Sequence, residues 1–495
     1  MSDHSVNMVN LASERVGASV LAANDDFFAA KENLIRDPQP VYLPDKYVST
    51  GKWMDGWETR RRREPGHDWC LVRLGLRGVA KRIVVDTSYF RGNYPEHCLI
   101  EACDLAGQPG IDKLQHPNTR WAELVPRSPL AGDSHNAFAP ALDSPITHVR
   151  LRIFPDGGVA RLRVYGDPTP DWDWLDYSGG LTDLAAVSHG GRIIDCSDSF
   201  FGSPLNLIMP GRAANMGEGW ETRRRRGPGH DWVLIELGTR GEINRIEVDT
   251  SHFKGNCPGS CSIEVADVTG GGLSGDTRWR ELLPRVELQP HNRHLFQDEL
   301  VGGGAATHSR LNIVPDGGVA RLRLFGRTAR SETLLIGLVR RNALPREQYE
   351  AGLRSCCGSS RWVTQMADAA PYSYVGALIR TAERVWWSLD RQDWLEAFAT
   401  HPKIGEDQAT GWSQGEQSGV RGAQTSVLAE LVELNRAYQD RFGYIYIVCA
   451  TGKSAQEMLE ILRERMTHDP KQEIRVAADE QRKITRLRLE KWLSE

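Results

Sequence analysis

The sequence has few features of secreted, membrane-bound or nucleic-acid-binding proteins. It contains nine cysteines in 495 residues, an odd number without a Cys-x-x-Cys pair, so we expect no disulfide framework. No apolar run approaches the ~18 residues that a membrane span needs, and the first residues lack the pattern of a secretory signal. Acidic and basic residues nearly balance, at 65 and 61, which excludes a globally basic nucleic-acid binder. We therefore expect a reduced, cytoplasmic protein without membrane or nucleic-acid partners.

The length of the chain requires more than one domain. Single domains usually contain about 100–200 residues, and this chain has 495. Hydrophobic residues make up 40% and charged residues 25%, which is ordinary for globular proteins. We expect two to four folded domains rather than a disordered or fibrous chain.

An internal repeat occupies the first two-thirds of the chain. The segment Gly-Trp-Glu-Thr-Arg-Arg-Arg-Arg-x-Pro-Gly-His-Asp-Trp at residues 56–69 recurs at residues 219–232. Downstream, Pro-Asp-Gly-Gly-Val-Ala-Arg-Leu-Arg at residues 155–163 recurs at residues 315–323. The period is therefore far longer than the ~20–50 residues of a solenoid unit, and each copy is a whole domain.

Both copies have the pattern of antiparallel strands. Residues 148–154 and 161–165 alternate in hydrophobicity with a period of two, and Asp-Gly-Gly at 156–158 predicts a turn between them. Residues 72–74 and 82–86 are short apolar-rich runs that predict two further strands. Many short strands separated by turns favour a sandwich of the jelly-roll type.

Helical patterns replace the strand pattern after the second copy. Apolar residues recur at three- and four-residue spacing over residues 377–389 and 430–440, and a long amphipathic helix is predicted over residues 477–493. Ser454 followed by Glu457 has the spacing of a capping box at a helix start.

These patterns predict a multidomain fold, with two repeated all-β jelly-roll sandwiches followed by an all-α helical domain. We place the sandwiches at residues 1–170 and 171–328 and the helical domain at residues 334–495. The boundary between strands and helices should fall within residues 326–332, where the composition changes.

The repeated block brings acids, guanidinium groups and an imidazole close together in sequence. Arginine suits bidentate capture of a carboxylate, and the His-Asp pair could activate water or bind a divalent metal. The alternative is structural, with the tryptophans as core anchors and the arginines paired with acids at a sandwich edge. The candidate site residues are Glu58, Arg60, His67 and Asp68 in the first copy and Glu221, Arg223, His230 and Asp231 in the second.

Residues 10–330 resemble allantoicase, on the doubled Gly-Trp-Glu-Thr-Arg-Arg and Gly-His-Asp-Trp motifs. The resemblance implies two jelly-roll repeats and hydrolysis of allantoate to ureidoglycolate and urea. It does not assign the catalytic residues, and it leaves open whether both copies act and whether a divalent metal takes part. The alternative is that the repeats form a ligand- or carbohydrate-binding module and that only the C-terminal domain is enzymatic.

A second constellation lies in the helical domain. Residues 394–401 predict a helix that ends at His401, because the residue before a proline disfavours helical backbone. Further on, Ser413 and Glu416 have the spacing of a helix cap. The structural interpretation is that these residues only terminate helices, and the functional interpretation is that they line a site.

Together with Cys-Gly-Ser-Ser-Arg-Trp at 357–362 and Leu-Arg-Leu at 487–489, these motifs resemble OHCU decarboxylase. That enzyme converts 2-oxo-4-hydroxy-4-carboxy-5-ureidoimidazoline to (S)-allantoin. The resemblance implies that His401 is the catalytic acid/base, Glu416 assists it and Arg488 holds a carboxylate. Tyr446 stands where phenylalanine is usual in the family. The resemblance implies a substrate-binding set of Pro402, Ser413, Gln417, Tyr446, Ile447, Val448, Cys449 and Ala450.

The decarboxylation needs no cofactor on chemical grounds. Loss of carbon dioxide leaves electron density beside an imine-like nitrogen and a carbonyl, so the substrate ring itself can act as the electron sink. We therefore predict a bifunctional enzyme of ureide degradation that acts on small-molecule ureides and forms a homo-oligomer. The two reactions are not consecutive, because ring opening of allantoin lies between them.

Overall fold

In a computed structural model, residues 8–268, 273–401 and 425–495 of the chain are described. The chain forms two compact units. The first unit contains residues 1–172 and 181–328, and the second contains residues 173–180 and 329–495. The prediction of two all-β sandwiches followed by a helical region is confirmed.

The first sandwich is built from antiparallel strands and one short helix, α1 (Ile111–Gln115). Its strands are β1 (Val9–Asn10), β2 (Ser19–Ala23), β3 (Tyr47–Val48), β4 (Gly51–Lys52), β5 (Trp57–Glu58), β6 (Asp68–Asp86), β7 (His97–Cys103), β8 (Ala122–Pro129), β9 (His135–Phe138), β10 (Ile146–Phe154), β11 (Gly158–Val159) and β12 (Arg161–Pro168). The main sheet has the order β1-β12-β6-β10-β7-β8, with β2 and β9 also paired to β6. Strand β5 pairs with β11, and β3 pairs with β4.

The second sandwich repeats this topology. Its strands are β13 (Thr182–Asp183), β14 (Arg192–Cys196), β15 (Trp220–Glu221), β16 (Asp231–Asp249), β17 (Ser260–Ala266), β18 (Arg280–Glu287), β19 (Arg293–Phe296), β20 (Ala306–Val314), β21 (Gly318–Val319) and β22 (Arg321–Thr328). The sheet order is β13-β22-β16-β20-β17-β18, and β15 pairs with β21. Short 3-10 helices in the two copies span Glu14–Val16, Lys31–Ile35, Val187–His189, Pro204–Ile208 and Met216–Glu218.

Strand β6 corrects one prediction. Residues 72–74 and 82–86, which the sequence suggested as separate strands, belong to one strand of 19 residues. Its first part pairs with β10 and its second part with β12. A strand of this length can serve different neighbours at its two ends, so the polar residues between the two apolar runs do not interrupt it.

The tryptophans of the repeated block anchor the cores of both sandwiches. Trp57 and Trp220 are completely buried. The indole nitrogen of Trp57 donates to the Asp25 carbonyl at 2.8 Å, and that of Trp220 donates to the Asp198 carbonyl at the same distance. Buried indoles need such a partner, so this part of the block is structural, as the alternative interpretation expected.

Helices α2 to α10 follow in chain order, and Trp172, the first residue of α2, still belongs to the first unit. They are α2 (Trp172–Tyr177), α3 (Ala329–Asn342), α4 (Arg346–Cys356), α5 (Ser360–Asp368), α6 (Val375–Ser388), α7 (Arg391–Ala399), α8 (Thr425–Phe442), α9 (Ala455–Arg465) and α10 (Pro470–Ser494). The change from strand to helix falls between Thr328 and Ala329, inside the predicted boundary stretch. No helix among the described residues is long and apolar enough to cross a membrane.

Helix termini match the sequence signals to different degrees. The predicted capping box of Ser454 and Glu457 is present at the start of α9. Helix α10, predicted from residue 477, begins at Pro470, with the Asp469 side chain accepting from two backbone amides. Asp followed by Pro is a strong start signal, so the sequence contained this boundary although the apolar periodicity did not mark it.

Candidate functional sites

His401 lies two residues after the end of α7. The helix begins with a capping box formed by Asp390 and Asp393 and ends at Ala399. The His401 amide donates to the Phe398 carbonyl at 3.1 Å, and the residue is half-buried. The predicted helix is therefore present, but it ends at Ala399 and not at His401.

The end of α7 packs closely against the Cys-Gly-Ser-Ser segment. A side chain at Gly358 would overlap the Thr400 side chain, so only glycine permits this approach. The next residue, Ser359, caps α5 by accepting from the Trp362 amide at 3.4 Å. The segment therefore brings the start of α5 against the residue that precedes His401.

Arg488, on α10, acts electrostatically on the same segment. It is buried, and its positive charge opposes the rise in the pKa of the Cys356 and Cys357 thiols that burial causes. Burial raises the pKa of Cys357 to about 11. Thr485, on the same face of α10, also interacts with the Cys357 thiol. Cys357 and Gly358 thus connect the surroundings of Arg488 to the surroundings of His401.

The predicted substrate-binding residues 446–450 form a buried segment after α8 that is neither helix nor strand. The Cys449 amide donates to Glu480 at 2.7 Å, and the Ile447 carbonyl accepts from Arg465 at 2.7 Å. The hydroxyl of Tyr446 donates to the Met458 carbonyl at 3.2 Å, so the departure from phenylalanine leaves a satisfied group. Val448 and Ala450 complete the buried segment. The other predicted site residues, Pro402, Ser413, Glu416 and Gln417, lie outside the described residues.

A buried ion pair contacts the backbone of this segment. Arg465 and Glu473 are almost inaccessible to solvent, and their side chains approach to 2.6 Å. Glu473 also accepts from the Tyr438 hydroxyl and contacts His468. Because one guanidinium nitrogen of Arg465 donates to Ile447, the pair fixes the backbone of the predicted binding segment.

In the sandwiches, the glutamates of the repeated block have equivalent partners. Asn93 donates to Glu58 at 2.7 Å, and Asn256 donates to Glu221 at 2.5 Å. Burial raises the pKa of Glu58 above its ordinary value, against the lowering effect of the bond from Asn93. A half-buried carboxylate of raised pKa is suited to proton transfer.

Two of the predicted arginines are exposed and occupy equivalent positions. Arg60 pairs with Asp25 at 3.1 Å, and Arg223 pairs with Asp198 at 2.9 Å. Each guanidinium also lies 5.2 Å from an exposed phenylalanine ring. Trp57 and Thr59 point inward and Glu58 and Arg60 outward, so Glu58 and Arg60 share one side of the chain.

The aspartates of the repeated block are structural in their contacts. Asp68 is buried and accepts from Arg62 and Asn24 at 2.7 Å each. Asp231 is buried in the same way and accepts from Arg225 and, at 3.1 Å, from Ser197. These contacts close the arginine-rich loop in both copies.

The two histidines have different surroundings. Burial and then the nearby Arg152 and Arg62 lower the pKa of His67, whose ring lies 5.1 Å from Phe154. His230 is exposed and contacts Asn312 at 3.2 Å. The copies therefore diverge around this position, while the environments of the glutamates are preserved.

The family of the sandwiches follows from comparison with known proteins. The allantoicase repeat model matches residues 9–169 and 182–329, which is more than half of the chain. The chain belongs to the allantoicase family. It is 49% identical to a probable allantoicase of Photobacterium profundum, over 64% of this chain and 96% of the relative. It is 48% identical to the allantoicase of Dictyostelium discoideum, over 63% of this chain and 85% of the relative.

A solved structure and a second family agree with this assignment. The crystal structure of allantoicase from Saccharomyces cerevisiae is 34% identical, with a TM-score of 0.55, and the match covers 64% of this chain and 92% of that one. Residues 342–490 match the OHCU decarboxylase family. The predicted bifunctional enzyme of ureide degradation is thus confirmed, and the alternative of a mere binding module is not supported.

Sequence reasoning missed several residues of the allantoicase site region. Asn93 and Asn256 are repeated in the sequence, and Asp25 and Asp198 also occupy equivalent places, but neither pair was assigned a role. Conversely, no group of three or more His, Cys, Asp or Glu residues in the described part of the chain could hold a metal ion.

Proposed function

We propose that the helical unit performs the decarboxylation with His401 as the proton donor and Arg488 as the group that holds the substrate carboxylate. The observation that supports this is the contact series from His401 through Thr400, Gly358 and Cys357 to the surroundings of Arg488. Glu416 would assist His401, and residues 446–450 would contact the ureidoimidazoline ring.

The reaction needs few other groups from the protein. The bond to the carboxyl carbon breaks, carbon dioxide leaves, and its electron pair moves into the substrate ring. A positioned imidazole with an unperturbed pKa of about 6.5 can then return one proton to carbon at neutral pH. Because the donor lies on one side of the substrate, only one enantiomer of allantoin should form.

The stereochemistry of the product tests this assignment. We expect His401→Ala to slow decarboxylation, and the allantoin that does form should be racemic, since solvent would protonate both faces. Chiral chromatography of the product measures this. Purely (S)-allantoin from the variant would contradict the role of His401 as the proton donor.

We propose that Glu58 and Glu221 are the general bases of allantoate hydrolysis and that Arg60 and Arg223 bind the allantoate carboxylate. The supporting observation is the half-buried Glu58 of raised pKa, bonded to Asn93 and sharing a side of the chain with an exposed guanidinium. The glutamate would activate water for attack on the substrate, with release of urea. His67 and His230 would be secondary contributors, and Asp68 and Asp231 would hold the loop.

Urea release from single and double variants tests this proposal. If both copies act, Glu58→Gln and Glu221→Gln each remove one site's contribution, and the double variant falls about 10²- to 10⁴-fold. If one copy has become structural, only one single variant should be inactive. Glu64→Gln, in the same loop and exposed, is the matched control. Full activity of the double variant would contradict the proposal.

We also propose a location and an assembly for the enzyme. The enzyme would work in the cytoplasm on small-molecule ureides as a homo-oligomer, without a cofactor for the decarboxylase. Light scattering tests the oligomeric state. Urea release after chelator treatment, with and without added Mn²⁺, tests whether the allantoicase part depends on a divalent metal.

A further inference from the structure

Two internal stretches of the chain match neither family model. The allantoicase matches end at residue 169, resume at 182 and end at 329, and the decarboxylase match begins at 342. The stretches between these matches contain the segment Asp173–Gly180 and most of helix α3. Both are part of the helical unit, so residues that join the two sandwiches pack with the decarboxylase.

Charged contacts hold the segment to α3 and α10. Arg486 of α10 donates to Asp173 at 2.6 Å, and Arg330 of α3 pairs with the same carboxylate. Arg330 also donates to Glu490 of α10 at 2.7 Å. Arg330 also lies 3.6 Å from the carboxylate of buried Asp176, so three acids and two arginines form one network.

Tyr177 is the anchor of the segment. It is only 4% exposed and belongs to the hydrophobic core of the helical unit. Its hydroxyl donates to Glu490 and accepts from Arg486 at 3.2 Å. The guanidinium of Arg486 also lies 5.1 Å from the centre of the ring. A buried aromatic with a satisfied hydroxyl contributes more than exposed ion pairs do.

The backbone of the segment fits α6 closely. A Cβ at Gly376 in the first turn of α6 would come within 2.8 Å of the Tyr177 carbonyl oxygen. Gly179, whose φ of +72° favours glycine, would place a Cβ 3.0 Å from Tyr374. The segment therefore packs closely against the first turn of α6 and the residue that precedes it.

We propose that the segment Asp173–Gly180 is a positioning element of the decarboxylase. Arg486 and Glu490, four residues apart, share one face of α10 and hold the segment, whereas Thr485 and Arg488 face Cys357 on another side. The segment therefore fixes the helix that carries Arg488. Decarboxylation by the C-terminal third depends on residues that lie between the two allantoicase repeats. This inference rests on the proposed role of Arg488.

Variants of the full-length chain test the proposal. Tyr177→Ala should raise the KM of decarboxylation by between about tenfold and a hundredfold, with a smaller change in kcat, because a displaced Arg488 binds the substrate carboxylate less well. Tyr177→Phe, which keeps the ring, should have an intermediate effect. Urea release from allantoate by the same variants should be unchanged.

Two comparisons separate the possible failures. Asp368→Asn, which removes an exposed partner of Arg346 in the same unit, should leave the KM unchanged. If Arg488→Met raises KM but Tyr177→Ala does not, the role of the segment is contradicted while the proposed function stands. If Arg488→Met leaves KM unchanged, the assignment of Arg488 itself fails. Equal loss of both activities in Tyr177→Ala would also overturn the proposal.

Discussion

At the scale of single residues, the sequence alone cannot assign separate roles to the four consecutive arginines at 60–63. Arg62 is held by buried Asp68, whereas Arg60 is exposed beside Asp25. Both acids could be found in the sequence, but nothing in the spacing states which arginine each would meet. The repeated block stays a predicted site, and the fold separates its members with structural contacts, such as Arg62, from exposed ones such as Arg60.

The glutamates give a prediction for the pH dependence of allantoate hydrolysis. A general base must be deprotonated, so activity should fall as the pH decreases through its pKa. Because burial raises the pKa of Glu58, this loss should occur above the ordinary carboxyl value of 4.5. The measurement is kcat/KM for urea release against pH.

The matched variant for that profile is Asn93→Ala. It removes a bond that lowers the pKa of Glu58, so the acid limb should move further upward. An acid limb that stays in place in this variant would argue against Glu58 as the titrating base.

Arg465 gives a second prediction at this scale. Arg465→Met removes the guanidinium partner of buried Glu473, which keeps its contacts with Tyr438 and His468. Breaking a buried ion pair typically costs about 3–5 kcal/mol of folding free energy. The substitution also removes the donor to the Ile447 carbonyl, so the rate of decarboxylation should decrease. Denaturant unfolding followed by circular dichroism measures the first effect.

The control is Arg463→Met on the same helix. Arg463 pairs with Glu430 at the surface, where both side chains are about half exposed, so the loss should be at most ~1 kcal/mol. Equal losses of unfolding free energy in the two variants would show that the buried pair contributes no more to stability than the exposed pair.

Individual elements were easier to predict than residue roles. Period-two alternation identified β10 and β12, and the capping box identified the start of α9. The length of β6 was missed, because its continuity depends on pairing with partners more than sixty positions away. The docking of residues 173–180 onto the helical unit was also missed, since the sequence of a short connecting segment does not indicate which helices it packs against.

The close contact between Gly358, before α5, and Thr400, after α7, predicts how far the position of α7 affects decarboxylation. Gly358→Ala would push the end of α7 and His401 away from the segment that leads to Arg488. We expect decarboxylation to fall about a hundredfold, since small displacements at a reacting centre have effects of this size. A coupled assay for allantoin formation measures it.

Thr400→Ala should rescue this variant in part, because it removes the two Thr400 atoms nearest to the added methyl group. Gly92→Ala, which meets no atom within 4 Å, is the control. A double variant no more active than Gly358→Ala would contradict the steric explanation.

For the whole molecule, the fusion joins two reactions that are not consecutive, so direct transfer of a product between the sites does not follow from it. The two activities should be separable by mutation, and we expect changes within residues 173–180 to alter decarboxylation alone. The sequence predicted both activities because each domain carries its own ordered motifs. It did not predict this dependence, which involves residues that match neither family.

The most direct test is to assay both reactions in one full-length His401→Ala variant. We predict that decarboxylation falls about 10²- to 10⁴-fold, that urea release from allantoate is unchanged, and that the circular dichroism spectrum is that of the wild type. A variant that still decarboxylates at the wild-type rate would contradict the account.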